Sequence, residues 1–149
     1  MAPSAGVFDM DTGIPIALGV NLVMSTKCSV AHVEIVAISL AQQLLGTPDL
    51  GADGQPPTQL VSSAEPGAMC LGAAIWSGIR CLACGARDAD VRAIGFDEGP
   101  KPSDWPTALE ARGIAVIRDV RRREAVQVLH AYAASGGVIY NGRQGRASP

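Results

Sequence analysis

An opening hairpin followed by helical and β-branched segments in alternation constrains this chain more than any other property of its sequence. Residues 7–11 read as a strand entering a turn at Thr12-Gly13, where Gly13 is free to take positive φ. Residues 14–20 return as a second strand that ends near Asn21, and 22–27 read as a loop or strand extension. From His32 the spacing turns helical. Val33, Val36, Ile38, Leu40, Leu44 and Leu45 supply its apolar side, and Gly46 marks the stop. Residues 47–59 are a loop by composition, and 60–63 a short strand. Pro66 suits the first turn of a helix that runs through Ala73 and Trp76, with Trp76 in the core, and stops near Gly78. A buried strand at 79–83, a short helix at 88–93 and a loop at 95–104 come next. A helix at 105–112 closed by Gly113, a strand at 114–117 and a helix at 123–134 complete the order. This alternation predicts a three-layer α/β domain.

The 149 residues suffice for one domain with one core. A 48% hydrophobic and 17% charged composition is that of a globular chain, and the net charge of -2 lacks the basic surplus of a general nucleic-acid binder. The densest basic run, Arg118 to Arg123, is interrupted by Asp119 and followed by Glu124, and reads as a solvated helix face. No apolar stretch is long enough to span a bilayer, and no basic-then-apolar leader opens the chain. A cytoplasmic location, with Cys28, Cys70, Cys81 and Cys84 as free thiols, is the expectation. Cys81 and Cys84 lie three apart on a strand, so they point to opposite faces and make neither a chelate nor a disulfide.

Two short blocks carry the chemistry: His32-Val33-Glu34, and Glu65-Pro66-Gly67-Ala68-Met69-Cys70. Both fall at predicted helix N-termini, where free N–H groups and the helix dipole favour a thiolate or an attacking hydroxide. Zinc deaminases of bases and nucleosides carry H-x-E and P-C-x-x-C, one His and two Cys holding the metal while the Glu shuttles protons. Here the second block reads P-G-x-x-C, and Gly67 has no side chain with which to ligate.

Over most of its length the chain resembles bacterial nucleoside and nucleobase deaminases of the cytidine-deaminase-like superfamily. The resemblance rests on Gly19-Val20-Asn21, on Ala31 to Glu34, and on the long block Ser63 to Arg80 with its Trp76-Ser77-Gly78-Ile79. It extends to Ala93 to Asp97, similar to guanine-deaminase-like members, and to Gly136 to Asn141. It implies a three-layer α/β/α sandwich with a mixed central sheet, filling residues 1–149 as a single domain. It further implies Glu34 as acid/base, His32 and Cys70 as metal ligands, Asn21 and Asp97 as substrate contacts, and the backbone at Gly67 polarising the base. Its C-terminal segment, 136–149, would close the site and cross a dimer interface. Three departures stand out: Gly67 replaces a zinc cysteine, Cys28 stands where relatives carry Asp, and the usual N-terminal helix is missing. The last would bare one side of the sheet, so a homodimer is expected.

The functional expectation is hydrolytic deamination of a small nucleobase, nucleoside or related heterocycle at an altered zinc site. Cys28 either replaces the missing ligand or lines the substrate pocket. One alternative is a metal-free enzyme using Cys70, His32 and Glu34 for nucleophilic or acid/base chemistry. Another is a non-catalytic partner subunit.

Overall fold

The structure, a computed structural model, describes residues 3–139. Strands β1 (Ser4–Asp9) and β2 (Pro15–Val20) form the opening hairpin, with Val7 opposite Ala17 and a bulge between Val7 and Phe8. The turn works because Gly13 takes φ +71° while the Asp9 carboxylate accepts from the Asp11 and Thr12 N–H groups. Beyond it, α1 (Val23–Thr26) replaces the expected loop or strand extension. Asn21 explains the difference, since its side-chain oxygen accepts from the Val23 N–H at 3.0 Å and starts a helical turn.

Helix α2 (Val33–Leu45) and helix α3 (Ala68–Ser77) flank β3 (Thr58–Ala64) in the chain, and β4 (Cys81–Ala86) follows. After α4 (Asp88–Ala93) and α5 (Trp105–Glu110) come β5 (Ala115–Ile117) and α6 (Arg122–Ala134). The five strands lie in the order β2-β1-β3-β4-β5. The first three pair antiparallel, whereas β3-β4 and β4-β5 pair parallel. The expected mixed sheet between helical layers is therefore present. Val33, Ile38, Leu71, Ala74, Trp105 and Leu109 pack with Val7, Leu60 and Leu82 in the larger core, while Val91 and Leu129 form a smaller cluster with Ala86.

The buried stripe of α2 is not the one its large residues suggest. Ala37 and Ala41 are fully buried, whereas Leu40 and Leu44 are exposed. Gly19 sets this arrangement: a Cβ there would lie 2.7 Å from the Ala37 nitrogen and 3.0 Å from its Cβ. Small residues on both sides let the helix backbone approach the strand closely, which turns the longer side chains outward. Trp76, expected in the core, is 88% exposed. Pro66 precedes α3 rather than sitting in its first turn, because Gly67 is the N-cap.

Cys81 and Cys84 are buried and unpaired, as the alternation required. Burial, together with the nearby Glu65 charge, pushes the Cys84 thiol up to about 12. No described helix is long and apolar enough to cross a membrane. The segment expected to close the site and cross a dimer interface falls, from residue 140 onward, outside the described residues.

Candidate active site

The N-termini of α2 and α3 converge at the C-terminal end of β3. His32 caps α2, Glu34 occupies its first turn, and Cys70 lies in the first turn of α3. Ligand atoms of His32, Glu34 and Cys70 all lie within 4.8 Å of one another. Glu34 is 6% exposed and Cys70 1%. Ser62, on β3, donates its hydroxyl to Glu34 Oε1 at 2.7 Å and so fixes the carboxylate. A histidine nitrogen, a sulfur and carboxylate oxygens at this spacing are a donor set that suits zinc.

The electrostatics of Cys70 disfavour a free thiolate. Burial pushes its thiol well above the usual range, and the Glu34 charge, a Glu34 hydrogen bond and the Glu98 charge add to the shift. Helix-dipole activation of a free thiolate, expected from the sequence, is therefore outweighed by desolvation and two carboxylates. A divalent cation reverses that balance, because it takes the thiolate directly.

Beside these groups opens a cavity of about 80 Å³ lined by Asn21, His32, Glu34, Ser62, Glu98 and Tyr132, among others. Asn21 stands exposed at its rim, with its oxygen committed to Val23; no described residue accepts from its amide NH2. That leaves a donor at the mouth of the cavity.

Two expected contacts lie elsewhere. Cys28 is exposed in the loop between α1 and α2; it is absent from the cavity lining and from the His32-Glu34-Cys70 cluster. Its N–H bonds to the Val23 carbonyl and its carbonyl to the Ala31 N–H, which hold it in that loop. Asp97 is not in the lining either. Arg92 Nη1 donates to it at 2.9 Å and the Gly99 N–H at 3.0 Å, an arrangement that turns it toward the α4 side.

The residue the sequence did not single out is its neighbour Glu98. The Glu98 carbonyl accepts from the Ala68 N–H at 3.0 Å, so it satisfies the first free donor of α3. Its Oε2 lies 3.8 Å from His32 Nδ1. Burial holds its carboxyl above the usual range, against the pull of His32. A Cβ built on Gly67 would collide with Glu98 Oε2 and lie 2.7 Å from its Cβ. Glu98 thus fills the space that any side chain at position 67 would need. The only sequence signal for it was its adjacency to the Gly95-Phe96-Asp97 stretch.

Glu65, in the same motif as Gly67, has a different role. It is 3% exposed, accepts from Arg118 Nε at 2.7 Å and from the Asp88 N–H at 3.0 Å, and has Lys101 Nζ at 3.8 Å. Lys101 also donates to the Pro66 carbonyl at 3.0 Å. These bonds tie the loop that carries Glu98 to the start of α3. They also correct the reading of Arg118 to Arg123 as a solvated helix face, since Arg118 reaches Glu65 and Arg122 reaches Asp90.

No protein-family model matches the chain. A guanine deaminase from Nitrosomonas europaea is 54% identical to it, over 89% of this chain and 72% of that one, with a TM-score of 0.87. The chain belongs to the guanine deaminase family. NE0047, crystallised in complex with 2,6-diaminopurine, shares 55% identity over 95% of this chain and 75% of its own, with a TM-score of 0.89. The guanine deaminase of Bacillus subtilis (strain 168) is 33% identical over 93 residues. That match spans 62% of this chain and 56% of the Bacillus enzyme. Family membership agrees with the mixed-sheet architecture and with the meeting of the H-x-E and P-G-x-x-C blocks at one cavity.

Proposed function

We propose that the chain is a hydrolytic nucleobase deaminase acting on guanine or a closely related aminopurine. The observation that carries this reading is the convergence of Glu34, His32 and Cys70 beside a cavity with Asn21 at its rim. Relatives crystallised with 8-azaguanine and 2,6-diaminopurine support an aminopurine as the substrate class. The reaction adds water across the C–N bond that bears the exocyclic amine and expels ammonia.

His32 and Cys70 would hold a zinc ion, which would supply Lewis-acid activation of water at neutral pH. Glu34 takes a proton from the attacking water and passes it to the leaving amine, so ammonia departs neutral. Ser62 fixes the carboxylate for both transfers. The Asn21 amide donates to a ring acceptor at the mouth of the cavity, whereas Gly67, covered by Glu98, is not among the residues that line it. Tyr132 and Phe96 also line the cavity, their rings stacked at 6.3 Å between centroids, and offer an apolar surface for a planar base.

Ammonia release from guanine, 2,6-diaminopurine, adenine, cytosine and their nucleosides tests this. Turnover of guanine or the diaminopurine is expected; a zinc-loaded preparation inert on the whole panel removes the reading.

The assembly we infer is a homodimer. Leu40, Leu44, Met69 and Trp76 are exposed on α2 and α3, and Leu18 and Val20 on β2. Apolar surface in that quantity calls for a cover, and a second copy of the chain supplies one. A monodisperse monomer in solution scattering would count against it.

A further inference from the structure

The geometry points to Glu98 as the third protein ligand of the metal, in place of the cysteine that position 67 lacks. The inference deepens the deaminase reading and rests on it for the identity of the metal.

Three observations carry it. The first is volume: a Cβ at position 67 would collide with the Glu98 carboxylate, so Glu98 as it stands occupies the space that a side chain there would need. The second is anchoring. The Glu98 carbonyl caps the Ala68 N–H, and Lys101, three residues on, is bonded to the Pro66 carbonyl. The carboxylate therefore stands over the start of the helix that presents Cys70. The third is reach, since Glu98 Oε2 lies 3.8 Å from His32 Nδ1. A small rotation converts that separation into two bonds to one ion, at about 2.0–2.2 Å each.

Charge is conserved by the exchange. A neutral imidazole, one thiolate and one carboxylate balance a divalent cation, as a neutral imidazole and two thiolates do. In this conformation the clustered donors are His32, Glu34 and Cys70, with Glu98 beside His32, but Ser62 holds Glu34 and that carboxylate is needed to carry protons. The donor set becomes nitrogen, sulfur and oxygen, with one thiolate rather than two.

Metal binding, read without reference to turnover, tests the assignment. Zinc affinity is measured by competition with a chelator for the full chain and for Glu98→Gln, Glu98→Ala, Glu34→Gln and Gly67→Cys/Glu98→Ala. Folding of each variant is checked by circular dichroism. Expected are one zinc per chain, a loss of at least about 100-fold in both Glu98 variants, and near-normal binding in Glu34→Gln. The size follows because outer-shell partners alone are worth roughly 10–100-fold. Gly67→Cys is expected to restore binding to Glu98→Ala. Cobalt substitution supplies a second readout: the thiolate charge-transfer band of the natural chain should be about half as intense as that of the double variant.

Unchanged zinc affinity in Glu98→Gln overturns the assignment, even if the Michaelis constant for a base rises. A natural chain that binds no zinc overturns it as well. Failure of Gly67→Cys to rescue Glu98→Ala, with both folded, does the same. A chain that binds zinc through Glu98 and deaminates no base leaves the ligand assignment standing and removes only the deaminase reading.

Discussion

Two clusters of charged groups, built from the same pair of loops, lie side by side in this molecule and behave oppositely. In the first, each acid has a fixed cation: Glu65 meets Arg118, Asp88 meets Lys101 and Arg92, and Asp90 meets Arg122. In the second, Glu34, Glu98 and the Cys70 thiol gather beside His32, and no arginine or lysine forms an ion pair with either glutamate among the described residues. The change happens within two residues of one segment, from Glu65 to Gly67, and three of the other, from Lys101 back to Glu98. A cluster whose charges close on themselves holds the fold together. One left with acids and a buried thiol in excess is prepared for a cation and for proton transfer.

Substitutions in the two clusters should therefore separate activity from stability. Glu34→Gln, which keeps an oxygen for the Ser62 hydroxyl, is expected to lower deamination by about 100- to 10,000-fold. Its denaturant midpoint should equal or exceed that of the natural chain, because one of several crowded buried carboxylates becomes neutral. Ammonia release and urea titration of the same preparation check both halves. A large loss of stability there would blur the contrast drawn here.

Glu65→Ala should do the reverse. It removes the buried partner of Arg118 and leaves Lys101, whose side chain is only 8% exposed, with Asp88 as its one remaining acid. Breaking one side of a buried pair costs about 3–5 kcal/mol, and urea unfolding should show it. A cost under about 1 kcal/mol, the ceiling for surface pairs, would mean that this network is not structural.

The smallest effect concerns acid. The Arg122 hydrogen bond, with help from the Arg87 N–H, holds the Asp90 carboxyl below its ordinary 3.8. A group whose folded value is depressed adds stability above its unfolded value and loses it as the pH falls through the folded one. The natural chain should thus lose this contribution below about pH 3.8. In Arg122→Ala the acid limb of the stability profile should flatten slightly. Thermal melts from pH 5 to pH 2.5 read the difference, and identical limbs would show that the pair is fully screened.

The order of strands and helices was legible because each element carried its own period and its own stop. Gly13, Gly46, Gly78 and Gly113 end their segments where the backbone takes positive φ. The H-x-E and P-G-x-x-C blocks were legible for a similar reason, since every residue in them lies within one helical turn of the others. The buried face of α2 was not. It depends on Gly19, fourteen residues before the first helical turn, and pairwise approach across space leaves no period in either segment. The exposure of Trp76 was hidden likewise, because an apolar residue at helical spacing looks the same facing the core or facing water.

What the amino-acid sequence determined by itself is the architecture, two of the site's groups on α2 and one on α3, and the lack of a thiolate at position 67. Tertiary structure alone decided what stands in that space. Gly67 and Glu98 are separated by thirty residues of chain and joined by the cap on Ala68 and by the Lys101 bond to Pro66. Such a contact is set by how loops close over a helix end, a long-range event that local propensity does not encode. The missing side chain was visible in the sequence; the carboxylate that fills its place was visible only in the fold.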